Sequence, residues 1–299
     1  MKYLFFSLFA LNFISAPIAE SKEKITCDVE CIKNVKTKES INEWLDGDFG
    51  LTPYRVNYIL PFGYTSHDYT RLVPTDNYEN VEAELQVSLK LKVGSGLFGL
   101  DERYYISYSH QAFWQVYAES SPFRETTYNP EVFVVFPFES GMLSSPLRSI
   151  KLAYAHKSNG QGNVEESAPT IASTLNLQNR SRSINYLYAK ARFQHKALIV
   201  DFKVWYPLPE DDETNDNPDI MKYTGYSSVK LRYFMDENMF TLMTRANIRT
   251  KHGAVEGTYS YPIINDLYLY TKIFSGYGES LIDYDNRLTK YSIGFSFSR

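Results

Sequence analysis

The last nine residues, "YSIGFSFSR" (291–299), decide how the rest of the chain is read. Tyr291, Ile293, Phe295 and Phe297 alternate with Ser292, Gly294, Ser296 and Ser298. In a strand, one face is then apolar or aromatic and the other small or polar. A soluble β-sandwich would turn the apolar face into its own core. A transmembrane barrel would turn it outward to lipid and point the polar face at the lumen. An exported chain that ends on such a strand, with phenylalanines close to the terminus, favours the barrel, although the final residue is Arg299.

Export is read at the other end. "MKYLFFSLFALNFISAPIAES" (1–21) has Lys2 as a short positive region and Leu4 to Ile14 as an apolar core. Small residues follow, among them Ala19 and Ser21. The pattern is that of a secretory signal peptide, with an apolar run too short to span a bilayer. Residues 22–47 are polar and read as a periplasmic extension. It carries Cys27 and Cys31 in "CDVEC", a candidate local disulfide in an oxidising compartment. No further Cys or His stands near them to make a metal site.

Residues 48–299 read as one all-β domain of short alternating runs. Eleven precede the final strand: 54–62, 83–93, 103–117, 131–138, 150–160, 184–193, 197–208, 227–235, 240–248, 253–263 and 266–274. Together they make about twelve antiparallel strands, each near the roughly nine to eleven residues that a tilted spanning strand needs. Closing an even number of strands removes the exposed edges. The 25 Tyr and 19 Phe suit pleated and interfacial surfaces. Tyr104, Tyr117, Tyr206 and Tyr270, near the run ends, are expected in aromatic girdles at the membrane interfaces. A net charge of −4, with no basic stripe, argues against nucleic-acid binding.

The chemistry lies in "IKLAYAHKSNG" (150–160). Ile150, Leu152, Tyr154, His156 and Ser158 share one strand face. On a barrel that face meets lipid, which puts a potential base and nucleophile on the outer wall. Residues i and i+2 of a strand lie about 6.5–7 Å apart, within side-chain reach. Asn185 in "SRSINYLY" is placed to accept the imidazole's other N–H. The turn-rich "SNGQGN" supplies backbone for an ion or an oxyanion.

These segments resemble the outer-membrane phospholipase A family of Gram-negative bacteria. Besides "HKSNG" and "SRSIN", the resemblance is carried by "FWQVY", "SSPFRET", "DNPDI", "KYTGY" and "YTKIFSGYGESLIDY", in order over residues 50–299. It implies a twelve-stranded barrel in the outer membrane that hydrolyses the acyl esters of membrane phospholipids, needs calcium and works as a homodimer. It also assigns roles: His156 the general base, Ser158 the nucleophile, Asn185 the residue that orients the base, Gly160 an oxyanion N–H. Ser181, Asp216 and the carbonyl of Gln161 match calcium ligands, and Ser120 matches the ligand given by the partner subunit. Asp216 stands in "EDDETNDNPD", which without the resemblance reads as a solvated acidic loop.

The chain departs from the family pattern twice. The connection between Gly162 and Asn179 is longer, and it enters the calcium loop, with Glu165 and Glu166 as candidates to join the site. His110 falls at a dimer-interface position where the family usually has glutamine, and Gln111 has the opposite parity. The expected activity is hydrolysis of sn-1 and sn-2 acyl esters of glycerophospholipids and lysophospholipids, activated by dimerisation. The competing expectation is a non-enzymatic outer-membrane pore or adhesin.

Overall fold

The structure, a computed structural model, describes residues 50–69, 77–138, 146–163, 180–211 and 215–299. The signal peptide, the 22–47 extension with Cys27 and Cys31, and Glu165 and Glu166 lie outside these residues. Among the described residues are thirteen strands: β1 (Leu51–Pro53), β2 (Tyr58–Thr65), β3 (Val81–Ser95), β4 (Arg103–Trp114), β5 (Phe123–Pro137), β6 (Leu147–Ser158) and β7 (Ser183–His195). Then come β8 (Leu198–Pro207), the short helix α1 (Ile220–Thr224), β9 (Ser227–Met235), β10 (Asn238–Asn247), β11 (His252–Ile264), β12 (Leu267–Tyr277) and β13 (Arg287–Ser296).

From β2 to β13 each strand pairs antiparallel with its sequence neighbours, and β13 returns to pair with β2. The sheet therefore closes and leaves no edge. β1 and β2 both pair with β3, through Leu51↔Leu91 and Tyr58↔Gln86, so they are one strand broken at residues 54–57. The result is a twelve-stranded up-and-down barrel. The break turns Tyr54 and Arg55 inward, where both bond the buried Glu131.

The pleat explains the composition. On β13, Tyr291, Ile293 and Phe295 are exposed, as is Phe297 just past its end, while Lys290, Ser292 and Ser296 are buried. The same parity exposes Val87 and Leu91 on β3, Ile106 on β4, Val132 on β5, Leu187 on β7, Phe202 on β8 and Ile273 on β12. A band of large apolar side chains around the outside would be a liability in water and is what lipid requires. The soluble sandwich is thereby excluded. No helix among the described residues is long and apolar enough to cross a membrane.

Two expectations are corrected. Tyr270 is not in a girdle: it is buried and stacks on Tyr58 inside the barrel, whereas Tyr117 and Tyr206 are exposed. β5 begins at Phe123, eight residues before the alternation in "EVFVVFPF" begins. Its first half is polar because Arg124, Glu125, Thr127 and Asn129 face a polar interior and are buried.

Near one mouth the lumen is filled by ion pairs. Arg124 bonds Glu82 (Nη2–Oε1 2.9 Å) and Asp283, and Lys290 reaches Glu82 (2.6 Å) and Glu279 (3.2 Å). The β12–β13 connection supplies Glu279 and Asp283, and it buries Leu281, Ile282 and Tyr284 in the mouth. Such a plug is the opposite of an open pore.

The two ends differ. At one, two-residue turns join strands at Lys196–Ala197, Asp236–Glu237 and Asn265–Asp266, with positive φ at the first residue of each. The longer turn after β3 is organised by Glu102, whose carboxylate accepts the N–H groups of Phe98 (2.8 Å) and Leu100 (3.0 Å). The Phe98 bond foremost holds this carboxyl below its ordinary pKa. At the other end five of the six connections are long, 66–80, 115–122, 159–182, 208–226 and 278–286, and 248–251 is short. Outer-membrane barrels carry short turns on the periplasmic side and long loops outside. His156 and Ser158 end β6 on the long-loop side.

Candidate active site

Strand pairing builds the site. β6 and β7 run in register with His156 opposite Asn185 and Ser158 opposite Ser183. His156 Nδ1 and Asn185 Oδ1 are 2.9 Å apart. Since the amide oxygen only accepts, Nδ1 carries the proton and Nε2 keeps its lone pair. Ser158 stands two residues further along the same outward face, and both side chains are half-buried. Among the described residues the ring's hydrogen-bond partner is Asn185. No hydrogen bond joins the Ser158 hydroxyl to the ring; their i, i+2 placement on one strand face sets their backbones about 6.5–7 Å apart.

Asn185 is itself held from three directions. Its Oδ1 also accepts the Tyr154 hydroxyl (2.9 Å), and its Nδ2 donates to Glu210 Oε1 (3.0 Å). The backbone behind His156 is fixed from the lumen, where Asn129 Nδ2 donates to the His156 carbonyl (2.7 Å).

Beyond Ser158 the chain turns under the control of Asn159, which is buried. Its Oδ1 accepts the N–H groups of Gln161 (3.2 Å) and Arg182 (3.0 Å), and its Nδ2 donates to the Arg180 carbonyl (2.9 Å). Gly160 follows with φ +65°, and a Cβ there would meet Tyr128 Cε2 at 2.6 Å. Only glycine lets the backbone pass so close to this ring in the left-handed conformation. Tyr128 sits opposite Ser158 on β5, and its ring packs edge-on against His110, 5.0 Å between centroids. His110 therefore has the outward parity expected of it, while Gln111 points inward to bond Glu84 (2.8 Å).

Of the four proposed calcium ligands the structure joins two. The Ser181 hydroxyl hydrogen-bonds the Asp216 carboxylate. Gln161 belongs to the same loop, its side chain held by Arg180, which leaves the main-chain carbonyl as the oxygen to offer. Ser120 lies in the β4–β5 connection, exposed and with φ +61°, and no hydrogen bond ties it to the other three. Asn163 Oδ1 accepts the N–H groups of both Arg180 and Ser181 (2.8 Å each), so the long insertion is tied off at its base beside the site. Asp216 is held by its neighbours: Asn217 Oδ1 accepts the Ser183 N–H (2.9 Å), and Ile220 packs on Leu281 and Tyr284. The donors are a carboxylate, a hydroxyl and a carbonyl, an all-oxygen set that suits a hard cation. Among the described residues no three His, Cys, Asp or Glu cluster as a metal site.

Sequence reasoning missed Tyr128, Asn159, Glu210 and Asn217. The asparagines and the tyrosine act through contacts that exist only after the barrel closes. Glu210 was absorbed into the acidic loop.

Residues 34–297 match the Phospholipase A1 family. Phospholipase A1 of Klebsiella pneumoniae is 36% identical over 83% of this chain and 82% of its own length, and that of Salmonella typhimurium is 35% identical with the same coverage. The solved outer membrane phospholipase A from Escherichia coli superimposes with a TM-score of 0.72 at 33% identity, over 84% of this chain and 93% of that one. The outer membrane phospholipase dimer of Salmonella typhi, solved with bound calcium, gives 0.73 at 33% identity, over 83% and 92%.

Proposed function

The chain belongs to the phospholipase A1 family as an outer-membrane β-barrel enzyme, and on that premise we propose that it cleaves sn-1 and sn-2 acyl esters of glycerophospholipids and lysophospholipids with Ser158, His156 and Asn185. The observation that carries this reading is the His156 Nδ1–Asn185 Oδ1 bond on the lipid-facing wall, with Ser158 on the same face.

With Nδ1–H committed to Asn185, Nε2 takes the proton from the Ser158 hydroxyl as its oxygen attacks the ester carbonyl. The His156 imidazolium then gives that proton to the departing lysolipid oxygen. Water, deprotonated by the same nitrogen, cleaves the acyl-enzyme and releases fatty acid. The neutral Asn185 fixes the tautomer and stabilises the imidazolium less than a carboxylate would. The Gly160 N–H, aimed by the Asn159 clamp, is the oxyanion donor. Outward placement suits the substrate, because its acyl chain stays in the membrane beside Leu152, Tyr154 and Leu187 while the ester meets Ser158.

Asp216, Ser181 and the Gln161 carbonyl would hold calcium, with Ser120 contributed by the partner copy of an active homodimer. Bound there, calcium would supply positive charge to the developing oxyanion. The test is fatty-acid release from phospholipid micelles by the purified protein, with and without calcium, beside Ser158→Ala. Release that depends on both calcium and Ser158 supports the reading. Release that survives chelation or the alanine substitution sinks it.

A further inference from the structure

Glu210 has no role in the reaction as described above, yet its carboxylate is bonded to the amide that orients the base. The contact is anchored by more than one side chain. β7 and β8 pair up to Tyr186↔Pro207, and the Leu208 N–H then donates to the Asn185 carbonyl (2.7 Å). That main-chain bond holds the first residues of the β8–β9 connection against Asn185. Two residues later Glu210 Oε1 accepts from Asn185 Nδ2 (3.0 Å).

The consequence follows from which groups can accept. An asparagine amide can turn over by 180°, exchanging its oxygen for its NH2. Turned over, it would present N–H to His156 Nδ1. That nitrogen would then have to be the acceptor, the proton would move to Nε2, and Nε2 could no longer take the proton of Ser158. The Tyr154 hydroxyl does not prevent this, since a phenol bonds either end of the amide. An ionised carboxylate does, because it only accepts. Half-buried Glu210 therefore keeps its bond to Asn185 only when Nδ2 faces it and Oδ1 faces His156.

We propose that Glu210 is a positioning residue of this enzyme, locking the Asn185 amide in the one orientation that leaves His156 Nε2 free to act as base. The role rests on the Ser158–His156–Asn185 reading. It gives a triad with a neutral third member what a carboxylate in that place has by itself: a fixed direction of hydrogen bonding.

The test uses the full-length protein in detergent with calcium. Wild type and Ser158→Ala come first, and loss of activity in Ser158→Ala establishes the underlying mechanism independently of Glu210. Glu210→Ala is expected to lower kcat about tenfold with KM unchanged. Glu210→Gln, whose amide donates as well as accepts and so can bond Asn185 in either orientation, should recover little of that loss. In an Asn185→Ala background Glu210→Ala should cost nothing more, because its effect passes through Asn185. Nitrogen-15 NMR of histidine-labelled protein should show the Nδ1–H tautomer of His156 in wild type and a growing Nε2–H fraction in Glu210→Ala. A purely structural glutamate would leave the tautomer alone and add its cost to that of Asn185→Ala. Either result, or wild-type kcat in Glu210→Ala, overturns the inference while leaving the Ser158 mechanism standing.

Discussion

Gly160→Ala isolates the geometry of the proposed oxyanion donor. Gly160 holds φ +65°, and an alanine Cβ would stand 2.6 Å from Tyr128 Cε2 and 3.2 Å from Cδ2. The left-handed conformation alone costs a non-glycine residue about 1–2 kcal/mol, or about 5- to 30-fold in a population. The overlap adds a second cost. Tyr128 is rooted in β5 opposite Ser158, so the 160–163 loop is what gives way, taking its N–H off the oxyanion. Removing one such donor costs about 100-fold or more in other hydrolases. The expectation is a fall in kcat of about 100-fold with little change in KM, because the donor is used only as charge develops. Initial rates of fatty-acid release at saturating calcium read it directly. Measured against Tyr128→Leu, the same glycine substitution should cost only about 10-fold, since the overlap is gone and the backbone strain remains. A Gly160→Ala enzyme within twofold of wild type would refute the reasoning. So would a deficit that is equal with and without the Tyr128 ring.

Three further outcomes concern the scaffold. Ile293→Arg, on the exposed face of β13, should destabilise the barrel in lipid by about 2–4 kcal/mol if its position is near mid-bilayer, read from reversible unfolding in urea. Glu82→Gln should cost about 3 kcal/mol, because it leaves Arg124 and Lys290 short of a buried carboxylate partner; the same unfolding curves measure it. Glu102 has a lowered pKa in the folded state, so its contribution to stability is complete above the ordinary carboxylate range and fades as pH falls through that lowered value. The thermal-stability gap between wild type and Glu102→Gln should therefore be widest near neutrality and close in acid; a gap that is flat with pH contradicts the assignment.

The barrel was readable because lipid imposes one rule on every strand. Tyr291 to Phe297 and Ile150 to Tyr154 obey it, and all twelve alternating runs become strands. The rule fails where a residue faces other protein. The first half of β5 is polar because it meets the ion pairs of the mouth, and residues 54–57 leave the ladder because Tyr54 and Arg55 bond Glu131. Tyr270 looked like a girdle residue because position along a strand says nothing of which face closure turns inward. At the site, His156 and Ser158 share a strand, so their common face follows from period two. Asn185 and Asp216 came from the resemblance or from a neighbouring segment. Glu210, Asn159 and Tyr128 depend on register between strands and loops distant in sequence, and nothing local marks them.

The central claim is an outward-facing serine made nucleophilic by His156. The most direct measurement is covalent labelling by a fluorophosphonate, with the modified residue located by mass spectrometry. The account predicts stoichiometric labelling at Ser158 in the calcium-loaded protein, abolished by His156→Ala. Labelling elsewhere, or equal labelling of Ser158 without the histidine, would contradict it.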